Sequence, residues 1–222
     1  MATGAATGTG LLRIGMPPFI AEYIAPSMLL RLTERMAQMP STIQLHEGRL
    51  GSLIEQLLRG DIDAAMALYA PRAVDGMDLS MLSIRICLAV PMAVVASPKL
   101  GISTGKHRWP ELLNYPWILP PASTHQRRSV AEMFTARGDR ASQPAIESGS
   151  LVANVRLASA GLGLAVVPHR AAESEIAVGR LQVVDVRPAL PATSMVLMYR
   201  KVSEIYMDAI QMLDDAVAAE AS

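Results

Sequence analysis

The chain has 222 residues, enough for one large domain or for two smaller lobes that each bury a core of their own. It is 51% hydrophobic and 18% charged, which excludes a disordered chain. Its 20 basic residues balance 20 acidic ones, which excludes a segment that grips nucleic-acid phosphates over a broad basic surface.

Residues 1–10 are Ala, Gly and Thr after Met1, without the basic and apolar regions of a secretory signal, and read as a tag or linker remnant. The first predicted strand is Leu11 to Gly15. A helix follows through Tyr23, Ile24, Met28, Leu32 and Met36, with Pro26 kinking it or marking the first turn of its regular part. After Pro40, Thr42 to His46 alternates as a second strand. Leu50 to Arg59 carries apolar residues at 50, 53, 54, 57 and 58, an amphipathic helix closed by Gly60. Asp61-Ile62-Asp63 leads into the apolar strand Ala64 to Leu68.

Ile84, Ile86 and Leu88 alternate in a further strand, and Met92 to Ala96 continues extended. The longest apolar run, Ile86 to Ala96, is interrupted by Pro91 and falls well short of the roughly 20 residues a membrane span needs. Cys87 is the only cysteine, so no disulfide can form within the chain, and its apolar neighbours predict a buried, inert thiol suited to a reducing compartment. Trp117 to Leu119 is a short buried strand stopped by Pro120-Pro121. Ser123 with Gln126 three residues on predicts a capping box, with Gly138 past the other end of the helix. Ala145 to Glu147 is a strand, and Ser150 is expected to cap a helix reaching Ala160. Strands at Leu164–Val167, Val183–Val186 and Ser194–Arg200 follow, then a last helix from Ser203 to about Val217. Alternating strands and helices imply an α/β fold with largely parallel sheets.

Read in order, several blocks resemble the effector-binding domain of LysR-type transcriptional regulators. They are Leu12-Arg13-Ile14-Gly15, Leu45-His46-Glu47-Gly48, and Leu53 through Arg59-Gly60-Asp61-Ile62-Asp63-Ala64-Ala65 in the first part. Tyr115 through Pro120, Ala160-Gly161-Leu162-Gly163 through Pro168, and Gly179-Arg180-Leu181 continue the series, so the resemblance spans Leu11 to about Ala216. It implies two Rossmann-like lobes joined by two crossover strands, a type 2 periplasmic-binding-protein-like architecture with an effector held between the lobes. Lobe I would comprise 11–90 plus 188–222 and lobe II 91–187. It also implies a cytoplasmic homodimer formed through the first helix, with methionines such as Met28, Met36 and Met39 on or beside it, and a higher oligomer in the full-length protein. The family's winged helix-turn-helix is absent from these residues, so no DNA binding is expected of this segment. Pro116 to Pro121, Thr124 and Arg127-Arg128 look most like the sugar-responsive subgroup, which suggests a sugar-like or small carboxylate effector. Leu50, where many members have Ser or Thr, and Pro17-Pro18 depart from the family pattern and suggest a more apolar first-lobe wall.

The candidate ligand-binding residues follow strand ends. Ser123, Thr124 and His125 stand at a helix N-terminus, whose free N–H groups and partial positive charge suit a hydroxyl or carboxylate. The alternative is that Ser123 only caps and His125 is solvated. Ser148 and Ser150 form a similar corner, although capping alone explains Ser150. On the first-lobe side Met16, Pro17, Pro18 and Phe19 follow the first strand as an apolar wall, or as core in the case of Phe19. Gly48, Arg49 and Tyr69 end the next two strands; Arg49 would pair with an anionic effector or simply be solvated.

Signals for catalysis fail. Gly101 to His107 imitates a phosphate loop but is one residue short and has His where a magnesium-binding hydroxyl belongs. Gly161-Leu162-Gly163 precedes a strand, so its glycines more simply stop a helix. The four histidines lack metal-ligand spacing. No catalytic residue, metal or cofactor is expected. The competing functions are a solute-binding protein of an uptake system with the same fold, an enzyme such as a transferase built on it, and a constitutive regulator without effector.

Overall fold

The computed structural model describes residues 11–35, 42–69, 74, 76–135, 143–201, 213 and 215. The tag or linker remnant at 1–10, Met36, Met39, Pro40, Gly138 and the expected helix from Ser203 (Leu213 and Asp215 apart) lie outside the described residues. The chain divides into two compact units, residues 1–89 with 194–222, and residues 90–193.

The first unit is built on a five-stranded sheet. β1 (Leu11–Met16) runs parallel to β2 (Thr42–Glu47) on one side and to β3 (Ala64–Leu68) on the other. β11 (Thr193–Arg200) lies antiparallel to β3, and β4 (Leu82–Val90) forms the edge, giving the order β2-β1-β3-β11-β4. The single helix expected after β1 is two helices. Pro17 and Pro18 open α1 (Pro18–Tyr23), the chain bends at Ile24, and α2 (Ala25–Arg35) carries Pro26 in its first turn, where a missing N–H breaks no helical bond. α3 (Leu50–Arg59) buries Leu53, Ile54 and Leu57 and stops at Gly60, whose φ of 83° suits glycine. Arg200 secures that end, donating from Nη1 to the carbonyls of Leu57 at 2.6 Å and Ile62 at 2.9 Å.

Asp63 is fully buried. It accepts from the Arg13 backbone N–H at 2.8 Å and from the Arg13 guanidinium at 2.8 and 3.2 Å, while the Asp63 N–H donates to the Arg13 carbonyl at 2.8 Å. The aspartate thus locks β1 to the start of β3. Asp61 lies outside that lock and pairs with Arg59 at 2.9 Å on the surface.

Cys87 is half-buried rather than buried, with its thiol against the Arg85 carbonyl at 3.4 Å. The apolar run around it misleads because β4 is an edge strand, and Ile86 beside it is 74% exposed.

The second unit holds a six-stranded sheet. β5 (Met92–Ala96) and β9 (Leu164–Pro168) pair antiparallel at its centre. β7 (Trp117–Leu119) and β8 (Ile146–Glu147) continue parallel beyond β9, and β10 (Gln182–Arg187) and β6 (Lys106–Arg108) lie beyond β5. Its core is aromatic. Trp109, Trp117 and Phe134 are each at most 1% exposed, the last edge-on to both indoles at 5.2 and 5.4 Å between ring centres. Phe134 arrives on α4 (His125–Thr135). Gly163 permits the chain to pass close to β7, since a Cβ there would lie 2.7 Å from the Pro116 carbonyl oxygen.

Two elements of this unit are not foreseen from the sequence. α6 (His169–Ala177) buries Ala171, Ala172 and Glu175, a face of small and charged residues with no apolar periodicity to announce it. Arg180 bonds the Glu175 carboxylate at 2.6 and 3.0 Å and, with Arg156 nearby, holds it down at about 2 from the usual 4.5. β6 is three polar residues long and is defined only by its pairing with β10. Two mixed sheets flanked by helices, with the chain passing from the first unit to the second and back, form the α/β periplasmic-binding-protein-like fold that the resemblance implies.

Candidate functional site

In open α/β sheets, ligands meet the carboxyl ends of strands where successive connections leave to opposite faces. Both units contain such a place. In the second, β7 leads into α4, which delivers Val130 and Phe134 to the tryptophan cluster. β8 leads into α5 (Leu151–Ser159), whose buried Val155 and Ala158 lie outside that cluster and which packs against α6. The ends of neighbouring strands β7 and β8 therefore part to opposite faces.

The polar residues predicted from sequence collect there. Thr124, not Ser123, caps α4: its Oγ1 accepts from the Arg127 N–H at 3.2 Å and donates to the Pro121 carbonyl at 2.8 Å. Gln126 is not the reciprocal partner of a capping box, since its Nε2 donates to the Val166 carbonyl at 2.5 Å and ties α4 to β9. Pro120-Pro121 shifts the turn by one residue, which leaves Ser123 exposed ahead of the cap, and His125 is exposed in the first turn. Ser150 caps α5, accepting from the Ala153 N–H at 3.3 Å. Ser148 Oγ accepts from the Ser150 N–H at 3.2 Å, and the Ser148 N–H donates to the Leu119 carbonyl at 3.0 Å, which joins the two corners. Arg127 braces them, reaching the Pro120 carbonyl at 3.3 Å and the Glu147 carboxylate at 3.7 Å.

Sequence reasoning passes over one residue here. Asn154 is 4% exposed and its Nδ2 donates to the Ser148 carbonyl at 3.3 Å, while its Oδ1 has no partner among the described residues. An amide inside the apolar stretch Leu151 to Val155 is the signal that marks it.

In the first unit the ends of β1, β2 and β3 place the other candidates. The Gly48 N–H donates to the Met16 carbonyl at 3.1 Å, bringing the loops after β1 and β2 together. Arg49 is exposed at the N-cap of α3 without a side-chain cap bond, and Leu50 behind it packs on the α3 core. Tyr69 is half-buried, its N–H on the Ser194 carbonyl at 2.7 Å. Met16 is fully buried and Phe19 is 6% exposed and stacked on Tyr23, so Pro17 and Pro18 are the surface members of that group. The described residues contain no group of three or more His, Cys, Asp or Glu placed to hold a metal ion. None of their helices is long and apolar enough to cross a membrane.

These corners offer hydroxyls, helix N-termini and an unused amide oxygen, a chemistry for orienting a small polar molecule. Known proteins agree with the architecture. A probable hydrogen peroxide-inducible genes activator of Mycobacterium leprae is 26% identical over 194 residues, which cover 87% of this chain and 60% of that protein. The chain therefore spans about three-fifths of that relative's length. Full-length OxyR from Pseudomonas aeruginosa superposes with a TM-score of 0.78 at 21% identity, covering 96% of this chain and 71% of that one. The effector binding domain of QuiR in complex with shikimate gives 0.73 at 15% identity, covering 96% and 97%. At those identities the two structures bear on fold alone. The family model for the LysR substrate binding domain matches residues 5–209, and the chain belongs to that family.

Proposed function

We propose that this domain is the sensing part of a transcriptional regulator and that it binds a small hydroxylated carboxylate reversibly, without turning it over. The family match over residues 5–209 carries the reading, and the curated relatives, named as gene activators, favour it over solute uptake. Ser123, Thr124, Ser148 and Ser150 supply hydroxyls and helix N-termini for the ligand's oxygens. The ligand binds one conformation better than another and shifts the population. In the whole protein that shift acts on a winged helix-turn-helix segment outside these residues, in the cytoplasm.

No disulfide can form within these 222 residues, because they contain one cysteine. The shikimate held by the effector binding domain of QuiR supplies a first acid to try. Calorimetric titration with a panel of such acids that includes shikimate tests the reading. One or more should bind and be recovered unchanged, and Ser123→Ala should weaken that binding about tenfold, the worth of one lost hydrogen bond to a charged group. Consumption of the ligand, or a response to hydrogen peroxide alone, would overturn it.

Homodimerisation belongs to the same proposal. β2 is a sheet edge with Leu45 44% exposed, and α2 shows Leu30 at 61%. Sedimentation should give a dimer that Leu30→Glu dissociates, and a monomer at high concentration would refute it.

A further inference from the structure

The other edge of the second unit is hollowed. A cavity of about 320 Å³ opens between residues 103–106 and residues 182–185, with β5 and β9 separating β10 from β7 and the corner described above. It exists because pairing stops. β6 pairs with β10 only from Lys106 opposite Asp185 to Arg108 opposite Arg187. One residue earlier Gly105, at a φ of 135°, turns residues 103–105 off the strand. The gap is braced at both ends: Gln182 Nε2 donates to the Ile102 carbonyl at 3.3 Å, and the His107 ring bonds the Ser103 carbonyl at 2.9 Å. This is the segment that imitates a phosphate loop. With a 3₁₀ turn (Pro98–Leu100) before it and a strand after it, it lacks the strand–loop–helix setting such a loop needs.

Its charges are arranged unusually. Opposite charges side by side on neighbouring strands ordinarily join. Here Arg187, on the same strand, takes the Asp185 carboxylate at 3.2 Å, and Lys106 has no partner among the described residues. Strand alternation puts Val183 on the Asp185 face, where it is 46% exposed, while Val184 at 4% turns to the core. An uncommitted ammonium, a carboxylate and an apolar side chain therefore line one small cavity, with the Ser103 and Thr104 hydroxyls beside them.

We propose that this edge binds a free aliphatic α-amino acid. Its carboxylate meets Lys106, its ammonium meets Asp185 and its side chain covers Val183. The volume sits at the low end for ligand cavities, which suits a molecule of that size. Asp185 disfavours phosphate and other simple anions at the same place. The proposal is independent of the effector site at β7 and β8.

Amide NMR spectra of the full chain, titrated with L-leucine, N-acetyl-L-leucine, L-leucinamide and inorganic phosphate, test it. L-leucine should shift the Gly105, Lys106 and Val183 signals saturably. The acetyl and amide derivatives, each lacking one charge, should bind about tenfold more weakly, and so should L-leucine to Lys106→Ala and to Asp185→Asn. Both side chains lie at the surface, so the melting temperatures should stay unchanged. No response to L-leucine, equal responses to its derivatives, or a response to phosphate alone would overturn the assignment.

Discussion

Replacing Phe134 with Ala should lower the unfolding free energy by about 3–5 kcal/mol, the range for emptying a buried aromatic position. The loss should fall in the upper part of that range because the surroundings are pinned. Trp109 donates its indole N–H to the Pro188 carbonyl at 2.9 Å, and Trp117 donates to the Leu112 carbonyl at 3.0 Å. Neither ring can swing into the space that Phe134 leaves without giving up a hydrogen bond, so the cavity persists. The two tryptophans of the chain both belong to this cluster, and their fluorescence in a urea titration reports it directly. Phe134→Leu should lose clearly less. A midpoint for the alanine variant within error of the parent would show that the cluster is not the packing centre of its unit.

The second large effect should come from Asp63. Breaking a buried ion pair by removing one partner costs about 3–5 kcal/mol, and Asp63→Ala removes the carboxylate that both the Arg13 guanidinium and the Arg13 backbone N–H bond. Arg13 keeps 30% of its side chain in water and can rehydrate, which places the expected loss near the bottom of that range. Asp63→Asn keeps an acceptor for the Arg13 N–H and should fall between the parent and the alanine variant. The double variant with Arg13→Ala should be less damaged than the sum of the singles, because each single already removes the contacts that the two side chains share. Far-UV circular dichroism in denaturant measures the parent and the four variants, and strict additivity would show that the two side chains act separately.

Asp63 also illustrates what a sequence can and cannot disclose. The run from Gly60 to Ala65 announces a helix end followed by a strand, because a glycine stop and an apolar run each have one common structural meaning. The partner of the aspartate is 50 residues away, and no local pattern names it. Thr124 and Ser123 show the same limit at closer range. Both are good capping residues, and which one caps depends on how Pro120-Pro121 turns the chain. The hydroxyl-rich corners could be located because strand ends and helix starts are legible. The orphaned Asn154 oxygen could not, since it depends on what packs around α5. Cys87 reads as buried only because the sequence does not reveal which strand is an edge.

The path of the chain has a bearing on how the protein is made. The second unit is one continuous stretch, residues 90–193, whereas the sheet of the first needs β11 placed between β3 and β4. A ribosome delivers β1 to β4 early, but their sheet cannot close until residue 200 has emerged. The second unit has by then been synthesised in full and is free to fold. Until that moment the apolar β3 and the separate strand β4, which β11 will join, present unpaired edges, so the nascent first unit is the stage at which this protein is most exposed to aggregation and to chaperones.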